Sequence, residues 1–303
     1  MIGRRDLLAL AAAPLLGAAA EPFPMTEVAP GMFVRHGAYE DATAANDDAI
    51  ANIGFVIGET SVAVIDPGGS RGDGERLRAA VHARTDRPIR FVIVSHVHPD
   101  HVFGSGAFRV DGPVYVGHAR LPGALAERGD FYRRGLAAIL GADEAGDYAV
   151  PTLLVADAAS LDLGGRRLQL QAHGPAHTDN DLSVLDPATG TLWAADLLFV
   201  DRIPSLDGSL TGWLKELQIL KGAPANRAVP GHGPVVVPWP EAAGDEERYL
   251  TTLLREVRAA IARGDDIETA VRTVGQGERG RWKLFDDYNG RNVTVAYKEL
   301  EWE

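Results

Sequence analysis

The feature that most constrains this chain is Ser95-His96-Val97-His98-Pro99-Asp100-His101, placed directly after the apolar run Phe91-Val92-Ile93-Val94. That run is short, β-rich and bounded by polar residues, so residues 91–94 read as a buried strand. Four metal-capable side chains crowd its end, and a fold that accepts them must gather loops at strand ends and supply partners. Residues two apart in extended chain point the same way, so His96 and His98 can share one ion. Pro99 keeps the segment from being a regular helix, and Asp100 and His101 beyond it can face a second ion. Neither pair is complete, because zinc takes about four ligands. The 303 residues contain no cysteine, which leaves His, Asp and Glu to supply the rest. Disulfides, thiol catalysis and iron–sulfur ligation are excluded on the same ground.

Candidates for the missing ligands stand at equivalent places. His177 follows the strand-like stretch 167–171, Asp196 ends the run 191–195, and His232 follows 227–231. Loops held by a rigid scaffold collect functional groups at such positions. Of the remaining histidines, His173 reads as a surface residue or a neighbour of a ligand, and His118 as a residue at the mouth of the site. Asn180, Asp181 and Arg202 flank the ligand-bearing loops and are candidate substrate contacts.

The wider pattern predicts an α+β fold. Gly54-Phe55-Val56-Ile57 and Val62-Ala63-Val64-Ile65 flank Gly58-Glu59-Thr60-Ser61 as a hairpin. A helix is expected at 75–84, a strand at 114–116, and helix with loop over 121–147. A second group of strands is expected at 152–155, 161–163, 167–171, 182–185, 191–194 and 227–229. Strands that pair locally in both halves predict two mixed sheets packed face to face with helices outside. After Pro240, Leu250, Leu253, Leu254, Val257 and Ile261 recur at helical spacing behind Asp245-Glu246-Glu247. The polar tail 281–303 carries Trp282, Phe285, Tyr288, Tyr297 and Trp302 as anchors. The expected organisation is a signal at 1–20, then one domain over 21–303 with a helical extension at 241–303.

Residues 1–20 combine Arg4-Arg5-Asp6-Leu7-Leu8, an apolar run and Ala18-Ala19-Ala20, the pattern of an export signal of the twin-arginine kind. That places the mature protein in the periplasm. No second segment approaches the roughly 18 uninterrupted apolar residues a span needs, so no integral membrane segment is expected beyond the signal. There are 42 acidic and 30 basic residues, a net charge of −12. Without a basic cluster, nucleic acid is excluded as a partner.

His96-x-His98-x-Asp100-His101, His177, Asp196 and Gly231-His232-Gly233, taken in order, resemble the metallo-β-lactamase superfamily. Asp66 in Ile65-Asp66-Pro67-Gly68-Gly69 matches that family's first motif. The resemblance implies an αββα sandwich with its site at one edge. It implies one zinc on His96, His98 and His177, another on Asp100, His101 and His232, and Asp196 bridging both. Asp66 would orient a ligand, and Asp100 would help orient a hydroxide between the ions. Two Zn2+ are the expected cofactors, with iron or manganese admitted by the carboxylates. Asp196 points to the glyoxalase-II-like binuclear branch and away from the cysteine-bearing lactamases. In related proteins the segment around His36 and Tyr39 is often a mobile flap.

The stretches around His177-Thr178-Asp179-Asn180-Asp181, Asp196-Leu197-Leu198-Phe199 and Asp207-Gly208-Ser209 are similar to quinoprotein relay system zinc metallohydrolases, relatives of SoxH-like proteins. That likeness implies a periplasmic hydrolase of a small ester or thioester, with a quinoprotein or sulfur-oxidation system as partner. The competing readings are a lactamase-like amide hydrolase, a single-iron persulfide dioxygenase, and a non-catalytic metal-binding partner protein.

Overall fold

A computed structural model describes residues 23–303, so the export signal read at 1–20 lies outside the described residues. One sheet runs in chain order through β1 (Thr26–Ala29), β2 (Met32–Arg35), β3 (Ile53–Ile57), β4 (Val62–Ile65), β5 (Ile89–Val94), β6 (Val114–His118) and β7 (Leu153–Val155). Its first four strands are joined by antiparallel pairings; β4 to β7 are parallel neighbours. Parallel pairing needs long returns over a face. These are α1 (Arg71–His82), the short α2 (Pro99–Val102) running into a 3-10 segment at Phe103–Asp111, and α3 (Leu121–Leu140).

The second sheet holds β8 (Ala158–Asp162), β9 (Arg167–Ala172), β10 (Leu182–Asp186), β11 (Thr191–Phe199), β12 (Arg227–His232) and β13 (Val237–Pro238), again in chain order across the sheet. Only β11 and β12 pair in parallel, and α4 (Leu210–Lys221) spans between them. Beyond β13 come α5 (Gly244–Arg263), α6 (Ile267–Thr273) and α7 (Phe285–Leu300).

The central strands β4 and β11 are buried along their whole length because both of their faces are covered. In β4, Ala63 and Ile65 join Leu170, Leu182 and Trp193 of the other sheet in the sandwich interior. Val62 and Val64 turn outward to Leu77, Ala80 and Val81 of α1. On the far side, Leu192, Ala194 and Ala228 meet Trp213 and Leu217 of α4 and Leu250, Leu253 and Val257 of α5. This is the αββα sandwich of two mixed sheets that the sequence predicts.

Ahead of the expected hairpin, β1 and β2 form the sheet edge, and the segment around His36 and Tyr39 follows as irregular chain. Three local expectations need correcting. Pro99 opens α2 instead of preventing a helix; at the first helical position its missing N–H costs nothing. Strand β11 continues past Asp196 to Phe199, because Leu197, Leu198 and Phe199 bury under α5 and α4. The tail is the sixteen-residue helix α7. Its buried stripe of Phe285, Asn289, Asn292, Val293, Ala296 and Leu300 contains two asparagines, which hide the helical periodicity. Trp302 is 84% exposed and anchors nothing.

Asn292 ties α7 to the loop after β11. Its Oδ1 accepts from Leu206 N at 2.9 Å, and its Nδ2 donates to the Pro204 carbonyl at 2.6 Å and to Tyr249 Oη at 2.9 Å. Asn292→Ala leaves these buried groups unpartnered and should lower the unfolding free energy by about 2–3 kcal/mol, read from urea denaturation.

Candidate metal centre

The seven expected ligands converge at one edge of the sandwich, where loops from both sheets meet. Set one is His96, His98, His177 and Asp196; set two is Asp100, His101 and His232. In set one the facing nitrogens are 2.8–3.2 Å apart: His96 Nε2 to His98 Nδ1 at 3.1 Å, His98 Nδ1 to His177 Nε2 at 2.8 Å, and His177 Nε2 to His96 Nε2 at 3.2 Å. Asp196 reaches both sets. Its Oδ2 is 3.3 Å from His177 Nε2 and 3.4 Å from His232 Nε2, and its Oδ1 is 3.0 Å from His101 Nε2. Asp100 Oδ2 lies 3.3 Å from His232 Nε2 and 3.5 Å from His101 Nε2.

Local backbone geometry delivers these groups. Ala195 adopts φ +49°, and the β11–β12 register shifts between Trp193, Ala195 and Phe199, so Asp196 leaves the strand's alternation and turns into the site. Gly231 passes directly beneath Asp196, where a Cβ would overlap Oδ1. Asn52 holds the same turn, receiving no slack from it: its N donates to Gly231 O at 2.7 Å and its Nδ2 to Pro230 O at 2.9 Å. Asp66, at φ +55°, directs its carboxylate under the metal-site loop. Its Oδ1 accepts from Ser95 N at 2.8 Å, and its Oδ2 accepts from Ser95 Oγ and His101 Nδ1, both at 2.9 Å.

The hydrogen bonds around each ring decide whether a cation fits. Ser95 Oγ donates to Asp66, so it accepts from His96 Nδ1 at 2.9 Å. His177 Nδ1 donates to Ser205 O at 2.6 Å, and His101 Nδ1 to Asp66. His98 Nε2 donates to Asp207 Oδ2 at 3.2 Å. With those protons assigned, His96 Nε2, His98 Nδ1, His177 Nε2 and His101 Nε2 present bare lone pairs to one another and to Asp196. His232 Nδ1 stands between an acceptor, Ile50 O at 3.0 Å, and a donor, Arg202 Nη1 at 2.6 Å; bonding to Ile50 frees its Nε2 as well. His101 Nε2 and Asp196 Oδ1 are buried without a hydrogen-bond partner. Lone pairs packed this closely repel unless a cation sits among them, and a His/Asp set of this kind suits a divalent metal, with zinc the natural default.

Electrostatics run the same way. Burial, then neighbouring His101, hold His96 far below its ordinary value, and burial lowers His177 to about 3, so both rings are neutral. Burial opposes a charge on Asp196, yet His101, His232 and His177 keep its carboxyl well below the usual range. His101 is the exception: Asp196, Asp100 and Asp66 outweigh its burial and raise it well above its ordinary value, so its Nε2 lone pair is bare only where a cation takes the place of the proton beside Asp196.

The sets open into a cavity of about 620 Å3. Tyr132, Leu136 and Ile139 of α3 form one wall, and Tyr288, Arg291 and Val295 of α7 another. Arg202 lines it and is 4% exposed, its Nη2 donating to Tyr288 Oη at 3.1 Å. Three expected contacts, His118, Asn180 and Asp181, lie outside this cavity lining. His118 ends β6, where its Nδ1 accepts from Arg120 N at 2.9 Å at the start of α3. Asn180 is folded inward, with its N bonded to Thr178 Oγ1 and its Nδ2 to Asp179. His173 is buried, not on the surface, and belongs to neither ligand set. Sequence reasoning missed Asp207, whose Oδ2 accepts from both His98 Nε2 and Arg128 Nη1 of α3. Its place just before the Ser209 cap of α4, in a stretch already singled out, was a usable signal. Asp48 was missed too; it lines the cavity, raised well above the usual carboxylate range by burial and by Asp100 and Asp73.

A model of the metallo-β-lactamase superfamily matches residues 46–232. The chain belongs to that superfamily. A linear primary-alkylsulfatase of Pseudomonas sp. (strain ATCC 19151) is 23% identical over 236 residues, covering 66% of this chain and 43% of that protein. The chain thus spans less than half the length of that curated relative. Among solved structures, a metallo-β-lactamase from Pontibacter korlensis has a TM-score of 0.61 at 19% identity, over 75% of this chain and 98% of its own. The inverting sec-alkylsulfatase Pisa1 from Pseudomonas sp. has a TM-score of 0.69 at 15% identity, over 91% of this chain and 50% of its own. At these identities the two structures attest the superfamily fold.

The loop that carries His177 is pinned by Asp181, whose oxygens accept from Thr178 N at 2.9 Å and Thr178 Oγ1 at 2.6 Å. Burial pushes the Asp181 carboxyl up to about 6, although the Thr178 bonds pull it down. The unfolded value is about 4, so the folded chain holds this proton longer, and the stability it contributes in acid is lost as pH rises through about 6. Asp181→Asn should therefore gain on the parent by on the order of 2 kcal/mol between pH 4 and pH 7, read as paired urea midpoints.

Proposed function

We propose that this chain is an exported metal-dependent hydrolase that uses two divalent cations, zinc by default, on a small ester or thioester. The observation that carries the reading is Asp196, whose carboxylate faces both ligand sets at 3.0–3.4 Å. His96, His98 and His177 would hold one cation, Asp100, His101 and His232 the other, with Asp196 between. Bound there, the cations acidify water to near neutrality and offset charge on a leaving group. The protein's own part is to keep the rings in one tautomer, through Ser95, Asp66, Ser205 and Asp207, and to shape the cavity. Tyr132, Leu136, Ile139 and Val295 offer apolar contact, while Arg202 and Arg291 offer cationic donors to a polar substrate group.

A second reading, hydrolysis of a sulfate ester, draws support from the alkylsulfatase likeness and from Arg202 and Arg291, two cationic side chains lining the cavity. Similarity to quinoprotein relay metallohydrolases supports a periplasmic setting beside a quinoprotein or sulfur-oxidation partner.

Elemental analysis of the purified chain should find about two divalent ions, and Asp196→Ala should lose at least one. The loaded protein should cleave activated thioesters or esters; His98→Ala should reduce turnover by about 100-fold or more. Efficient penicillin or carbapenem turnover without esterase, thioesterase or alkylsulfatase activity would sink both readings. For export, Arg4→Lys with Arg5→Lys should leave the precursor in the cytoplasm, seen by fractionation; normal secretion of that variant would point to the general secretory route.

A further inference from the structure

On the outer face of the second sheet, away from both ligand sets, three side chains stand in series. Ser183 Oγ is 2.8 Å from His173 Nε2, and His173 Nδ1 is 3.0 Å from Glu216 Oε2. Glu216 is an acceptor only, so His173 carries its proton on Nδ1 and offers a lone pair at Nε2 to the Ser183 hydroxyl. The hydrogen bond from His173 holds the Glu216 carboxyl below its usual range. Ser183 lies on β10, His173 just past β9, and Glu216 on α4, so three packed elements fix the series. Such an order of hydroxyl, imidazole and carboxylate is the constellation that activates a serine for attack on a carbonyl carbon.

The series also has somewhere for a substrate to sit. A second cavity of about 410 Å3 is lined by Ser183 and His173 and walled by Leu185, Leu192, Ile219 and Pro224, while Glu216 stays behind it. Two amides border it: Gln171, directly across the strand pair from Ser183, and Gln169, one pleat along. The Gln171 amide already donates to the carbonyls of Asp157 and Ala172, both at 3.0 Å, which leaves the Gln169 amide as the donor available to a carbonyl oxygen that gains negative charge.

We propose that Ser183, His173 and Glu216 form a second, metal-independent acyl-transfer site that takes esters with a short apolar acyl group. Ser183 Oγ bonds to the acyl carbon as its proton passes to His173 Nε2. The bond from acyl carbon to leaving oxygen then breaks, and His173 returns the proton to the departing alkoxide. Water then bonds to the acyl carbon as His173 Nε2 takes its proton; the bond from acyl carbon to Ser183 Oγ breaks, His173 returns the proton to Oγ, and the carboxylic acid is freed. Ser183 is the nucleophile and His173 the base. Glu216 is a positioning residue that sets the tautomer of His173.

The test is covalent labelling of the full chain as purified, which reads the serine and not the metal centre. An alkyl fluorophosphonate, and separately p-nitrophenyl butyrate, should leave an adduct that peptide mapping by mass spectrometry places on Ser183, at a rate about tenfold or more above that of His173→Gln. Retention of labelling with metals chelated separates this site from the proposed hydrolase. Because the chain has no cysteine, Ser183→Cys would carry its single thiol. Iodoacetamide should alkylate that thiol about tenfold faster than in Ser183→Cys with His173→Gln, and the pH profile should lose its acid limb in the double variant. No adduct at Ser183, or serine and thiol rates unchanged by His173→Gln, overturns the proposal.

Discussion

Mutual repulsion among buried electron pairs organises this molecule. Four imidazole nitrogens and two aspartates point at a common volume, each ring with its other N–H committed outward, to Ser95, Asp66, Ser205 or Asp207. An arrangement like that is expensive to hold with side chains alone. Packing on both sides of the central strands holds the groups in place, and a positive charge at the centre would reverse the sign of the interaction. The strained backbone at Asp66 and Ala195 and the glycine beneath Asp196 are consequences of aiming carboxylates into that volume.

The sheets divide the work. Parallel strands β4 and β5 end beside one another, placing Asp66 under the loop that starts at Ser95. Parallel β11 and β12 do the same for Asp196 and His232. The remaining strands, largely antiparallel, extend the sandwich and leave its outer faces to helices. One of those faces carries the Ser183 series, built from polar residues where the alternation of β9 and β10 turns them away from the sandwich interior.

How legible was this in the sequence? The ligands were, because each is a strongly metal-seeking residue next to a strand with unmistakable apolar character. The fold class followed from the local pairing of those strands. What escaped reading depends on distant chain segments. Asp207 gains its role only when α3 swings Arg128 against it. Asn289 and Asn292 look like solvent-facing residues and are instead bonded inside the core, so α7 passes for a polar tail. His118 and Asn180 show the reverse error: nearness in sequence to ligand loops suggested the cavity, whereas backbone turns claim both side chains.

The position of α7 has a consequence for how the site is assembled during synthesis. Every candidate ligand is contributed by residues 96–232, but Tyr288, Arg291 and Val295, which form one wall of the cavity, emerge from the ribosome later. A nascent chain that has completed β12 already carries all seven donors and the α3 wall, while the α7 wall has yet to be made. Holding a cation and completing the cavity thus fall to different stretches of chain, and the last wall belongs to a helix that contributes no ligand at all.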